Sequence, residues 1–410
     1  MRSHRVSLAV LAATLAATLA LGFGLARAAQ DGAPEPCGSP EPSVEGPAFD
    51  PENVCATEPP PQLGPITDPA VQRPDETAWR IFAEINRPVE GQPFWRTWPE
   101  QAEVYPPDPD PANPPKWEKI AGPEPALRAR SSVQQRIRAT TPGPTAALVD
   151  LTDPCTALHD AQNEETRINR QTFDYVIEND LWYVEGKAKA FADDFVVNFP
   201  TDSREIKANW VPISADRKGE FVTATDSSGQ LWGLVAMHVL SKEVPNWIWA
   251  TFEHASNPCY DKYLRAQDRF GLTPDGKTSP ELLVVFEENG LDVAVYSNYR
   301  LDGAQVDFTD PTGRPIVLGN SVTEFGFQTT ASCMTCHARA TTDASGKHHL
   351  SVFDEHGQSE NGTPDPDWYF ASFDPLKRSY LPLDFLWSVA LGPNAIGQTK
   401  ANCTLPAVDE

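Results

Sequence analysis

The chain has little methionine, a shortage of basic charge and, beyond its first residues, no long apolar run. Only three of 410 residues are Met: Met1, Met237 and Met334. Lys and Arg number 33 against 57 Asp and Glu, a net charge of −24. Such an excess repels nucleic acid and anionic lipid surfaces, so no nucleic-acid partner is expected. After residue 28 nothing approaches the ~20 apolar residues of a membrane span. No G-x-S-x-G, P-loop or dinucleotide-binding fingerprint is present, and there is no internal repeat. The sequence therefore names no catalytic constellation.

The first 28 residues read as an export signal. Arg2 and Arg5 precede an apolar run from Val6 to Leu25, and Ala26-Arg27-Ala28 resembles a cleavage site. The alternative is an uncleaved anchor. Cleavage predicts a periplasmic or secreted chain with no membrane span. Of 40 Pro, 23 fall between residues 31 and 125, where they block helix and sheet pairing. Residues 29–73 lack a periodic apolar pattern and read as a Pro-rich linker or wrapping arm. Residues 74–410 read as a single domain.

Within it the pattern predicts a helix at Trp79, Phe82 and Ile85, capped by Asp75 and stopped by Pro88. Helices are also expected at Ser131–Arg138, at about Thr166–Glu178 and at Leu383–Ala390. Strands are expected at Phe195–Phe199, at Glu205–Val211 with Ile206, Ala208 and Trp210 on one side, and at Trp247–Phe252. Three hairpins are expected: Phe221–Thr225 with Leu231–Leu240, Leu282–Phe286 with Val293–Tyr299, and Val306–Thr309 with Arg314–Leu318. Successive hairpins favour antiparallel pairing. The fold class is α+β, with a central antiparallel sheet, peripheral helices and a chemically distinctive motif after the sheet.

That motif is Cys333-Met334-Thr335-Cys336-His337, a C-x-x-C-H segment. Two thiols at this spacing match the two vinyl groups of a haem edge, and the adjacent His reaches the iron from one face. Zinc would need two more ligands, and His348-His349 makes a poor tetrahedral pair. A thioredoxin-like site would need a βαβ context, and a plain disulfide remains open. The other five cysteines, Cys37, Cys55, Cys155, Cys259 and Cys403, are odd in number and define no connectivity, although Cys37 and Cys55 form a plausible local pair.

The motif resembles that of c-type cytochromes, with Cys333, Cys336 and His337 at the family's attachment positions. A looser resemblance over Ala78–Asn86, Glu205–Trp210, Ala236–His254, Leu318–Ser321 and Ser332–Ala340 points to large secreted bacterial monohaem cytochrome c proteins. The resemblance implies one covalent haem c, His337 as proximal iron ligand, and electron transfer between redox partner proteins; the chain's acidity would attract a basic patch on such a partner. Small c-cytochromes are helical and carry the motif near the start, so their fold is not transferred. Their downstream Met ligand is missing here as well. For the distal position a His ligand, His254 or His238, ranks first, an open site second and Met237 third. Met237 and His238 are strand neighbours, so they point to opposite faces. An open distal position would favour a haem enzyme, a peroxidase or oxidase acting on a small molecule. Trp232, Trp247 and Trp249 are candidates for an apolar sleeve or for sheet core.

Overall fold

Alternation in the chain's β-prone segments builds the centre of the molecule. The computed structural model describes residues 68–122, 126–127, 163–258, 268–354, 358–371 and 374–395. The export segment, nearly all of the Pro-rich arm, the Ser131–Arg138 expectation and the five non-motif cysteines lie outside these. All the described residues belong to one compact unit, and Asp68 already caps a helical turn at Pro69–Gln72.

Seven strands form one sheet: β1 (Ala126–Leu127), β2 (Asn163–Ile168), β3 (Arg204–Pro212), β4 (Thr223–Asp226), β5 (Leu231–Ser241), β6 (Ile248–His254) and β7 (Tyr299–Gln305). β5 is the spine. β3 pairs along one edge of it, while β4 and β6 share the other. β2 lies outside β3, and β7 outside β6. All these pairs are antiparallel; only the two-residue β1 runs parallel, beside β4. Helices flank the sheet, so the fold is α+β, as the sequence predicted.

Ile206, Ala208 and Trp210 share one face with Met237, Val239, Ala250 and Phe252, all buried in one apolar core. The helix Pro74–Asn86 covers this face. Phe82 lies 4.3 Å from Phe252, ring centre to ring centre, and Trp79 lies 4.9 Å from it. The helix starts at Pro74, whose missing N–H costs nothing at that position, so Asp75 sits in its first turn instead of capping it.

Several expected elements differ, each for a local reason. Leu282–Phe286 and Val293–Tyr299 are not strands. Pro280–Glu288 and Val293–Tyr296 are helices. Ser279 accepts the Leu282 N–H at 3.0 Å, Pro280 starts the helix, and Asn289-Gly290 ends it, with Gly290 at φ +68°. The helix expected at Thr166–Glu178 begins only at Arg170, capped by Asn169, because 163–168 is taken up as β2. Phe195–Phe199 joins no ladder: the Asn198 N–H goes to the Tyr175 hydroxyl, and the Phe199 N–H to Asp384. At 306–318 the turn closes, with Asp310 donating to the Arg314 carbonyl at 2.8 Å, but a single bridge, Thr309 to Pro315, replaces paired strands. The last helix shortens to Trp387–Leu391.

Candidate functional site

The second face of the sheet carries the motif. Cys333–Ala338 is one short helix, opened by Ser332, which accepts the Thr335 N–H at 3.5 Å. Gln305, the last residue of β7, anchors it: its amide donates to Ser332 Oγ at 3.1 Å, and its oxygen accepts the Met334 N–H at 3.3 Å. Three-residue spacing on a helix brings Cys333 and Cys336 to neighbouring positions. Met334 points the other way, fully buried among Trp249, Leu383, Leu386 and Val389.

Both thiols are free, and they and His337 are half-buried. The surrounding protein nevertheless strips water from all three. Burial first, then the Glu324 carboxylate, pushes Cys336 up to about 11 and Cys333 well above its ordinary value. Burial holds His337 down at about 3, so it is a neutral imidazole. His337 Nδ1 lies 2.8 Å from the Phe385 carbonyl, and as the proton-bearing nitrogen it donates to it. That fixes the tautomer and leaves Nε2 as the basic, ligating nitrogen. Trp249 packs 4.6 Å from the His337 ring and 5.7 Å from Phe385. Phe308, Phe385 and Trp387, all half-buried, adjoin the same core.

Beside the motif the same sheet face turns polar. Lys207, His238 and Thr251 lie across from one another on β3, β5 and β6. Glu253 follows, and a bulge between Thr251 and Phe252 leaves Asp302 of β7 beside it. Residues 318–332 lie over this stripe. Asn320 donates to Thr251 at 2.9 Å, and Ser321 donates to Glu253 through its N–H at 2.5 Å and its hydroxyl at 2.6 Å. His238 Nε2 is buried without an aligned hydrogen bond, 3.3 Å from Glu324 Oε1. Burial opposes ionising Glu324, but His238 and Lys207 outweigh it and lower its pKa. Burial raises Glu253 and Asp302 instead, Asp302 also because Glu253 is so close. Among the described residues neither Asp302 oxygen finds a hydrogen-bond partner, so its buried carboxylate is left uncompensated.

The three distal candidates separate cleanly. Met237 is fully buried on the opposite face, among the residues under Pro74–Asn86. His254 shares that opposite face, stacks on Phe221 at 3.9 Å, and has both ring nitrogens occupied, by Ser256 at 2.8 Å and by the Glu220 carbonyl at 3.0 Å. His238 alone of the three stands on the motif's face, close enough for its charge to act on His337. Of the three tryptophans, Trp249 adjoins His337, Trp247 is buried against Asp384, and Trp232 is tied to Asp226. His348 pairs with Asp343.

Sequence reasoning missed Lys207, Glu324, Asp302, Asp384 and Phe385. With Ile206, Ala208 and Trp210 on one side of β3, the other side had to be Glu205, Lys207 and Asn209; that this side is covered too, leaving Glu205 and Asn209 buried and Lys207 half-buried, is a tertiary fact. Among the described residues no three His, Cys, Asp or Glu side chains converge to hold a bare metal ion; a haem iron needs only one protein ligand on each side. Comparison of the chain with protein-family models, curated proteins and solved structures finds no match.

Proposed function

We propose that this chain is an exported monohaem c-type cytochrome that carries single electrons between redox partner proteins. The observation that carries the reading is the motif's geometry: two free thiols one helical turn apart, and the next residue, His337, held neutral with Nδ1 on the Phe385 carbonyl. Each thiol would add across one haem vinyl double bond, sulfur to one carbon and the thiol hydrogen to the other, with no net oxidation. Cys333 and Cys336 would hold the group, His337 Nε2 would be its proximal ligand, and Trp249, Phe308, Phe385 and Trp387 would exclude water from it. The bound haem would supply one-electron chemistry at its iron. The N-terminal segment supports export to the periplasm or beyond, where haem is attached.

For the distal side the reading names His238, whose buried Nε2 has no aligned hydrogen bond. A second reading rests on a different observation. His238, Glu324 and Lys207 form a half-buried polar group beside the motif, more polar than an electron carrier requires. That group suits a haem enzyme that moves protons on a small molecule such as a peroxide.

Absorption spectra of the oxidised and reduced protein test both. The carrier reading predicts a low-spin haem c spectrum that is lost on His238→Ala and kept on Met237→Ala. A high-spin ferric spectrum with rapid cyanide binding moves the enzyme reading ahead. Absence of any haem spectrum from protein exported by a haem-attaching host contradicts both.

A further inference from the structure

The carbonyl that holds His337 belongs to a residue in an unfavourable conformation. Asp384 and Phe385 are consecutive non-glycine residues at φ +47° and +72°, a region that side chains other than Gly, Asn and Asp rarely adopt. A backbone held there needs external contacts to keep it. Those contacts converge on Asp384. Its Oδ2 accepts the Phe199 N–H at 2.7 Å and pairs with Lys242, and its Oδ1 accepts Trp247 Nε1 at 3.2 Å. Lys242 and Asp384 are 7% and 8% exposed. A buried ion pair gains little net stability, because the desolvation of two charges offsets their attraction. Its lasting effect is therefore on geometry. The loop is also pinned at Leu383, whose N–H donates to the Ala340 carbonyl at 2.9 Å, just past the motif helix.

We infer that Asp384, clamped by Lys242 and Trp247, is a positioning residue that turns the Phe385 carbonyl onto His337 Nδ1 and so sets the donor strength of His337 toward the iron. The inference rests on the cytochrome reading. A hydrogen bond from Nδ1 makes the imidazole a stronger donor, which favours ferric iron and lowers the reduction potential. Loosening the clamp raises the potential.

The test is the midpoint potential of the full exported chain carrying Lys242→Met with Asp384→Asn. This pair of changes keeps the net charge, and Asn tolerates the left-handed backbone. The expected result is haem still covalently attached and about a tenfold shift toward the ferrous form, ~59 mV for one electron. Trp247→Phe removes one hydrogen bond and leaves the ion pair. It should shift the potential in the same sense by less, and it carries the test alone if the double variant does not fold. Attached haem with the parent's potential in the variants that fold overturns the inference and leaves the cytochrome reading standing. An unmodified chain without covalent haem overturns that reading and this inference with it.

Discussion

On one face of the sheet Ile206, Ala208, Trp210, Met237, Val239, Ala250 and Phe252 share an apolar core with Trp79, Phe82 and Ile85 of the covering helix. On the other, Trp249 and Leu240 continue into a stripe of Lys207, His238, Thr251, Glu253 and Asp302 under the loop that leads to the motif. The same strands build both faces, so strand geometry does not explain the contrast. Burying an apolar residue stabilises the fold, whereas burying a polar one costs free energy unless it finds partners. The first face is therefore what the fold needs. The second is what the fold tolerates, and its polar groups point to the work done there.

The contrast can be broken from either side. Phe252→Ala should cost ~3–5 kcal/mol in denaturant unfolding while leaving the folded protein's spectrum unchanged; a folded variant with an altered spectrum would mean that the apolar face also shapes the site. Lys242→Met alone strands the Asp384 carboxylate and should cost ~3 kcal/mol. Adding Asp384→Asn should restore part of that loss, and a further loss instead would count against a clamp of paired charges.

Two smaller effects sharpen the comparison. His254→Ala removes two buried hydrogen bonds on the structural face and should cost ~1–3 kcal/mol without changing the spectrum of the proposed haem. Loss of a low-spin signal would restore His254 as a ligand. Asp302→Asn probes the polar stripe. Both carboxyls of the Glu253–Asp302 pair have raised pKa values when folded, so the folded chain keeps a proton that the unfolded chain releases. The pair's stability cost is thus absent below the unfolded carboxylate range, near ~4, and grows as pH rises above it. Relative to the parent, Asp302→Asn should gain about 1 kcal/mol between pH 4 and pH 7.5 in urea unfolding. An unchanged difference at the two pH values would show that folding does not raise the pair's pKa values.

The antiparallel core was legible because β3 and β5 are long enough for alternation to declare itself, and Asp226-Ser227-Ser228-Gly229 marks the turn between β4 and β5. Leu282–Phe286 was not, because five consecutive apolar residues carry neither period. The deciding signal lay just outside, in Ser279-Pro280 and Asn289-Gly290. For the site, C-x-x-C-H declares itself in five residues, and strand alternation showed that Met237 and His238 must part. Which of the two would meet the motif depends on how residues 318–332 cross the sheet, a tertiary fact. The clamp was further from reach still: Lys242 and Asp384 are 142 positions apart, and no local pattern links them.

The central claim is that Cys333 and Cys336 carry a haem whose iron is held by His337. Mass spectrometry of the peptide spanning residues 333–337, taken from protein exported by a haem-attaching host and digested after denaturation, tests it most directly. The account predicts that peptide with one haem added through both cysteines, and no such species from the Cys333→Ala, Cys336→Ala chain. An unmodified peptide, with its two cysteines free or joined to each other, would contradict it.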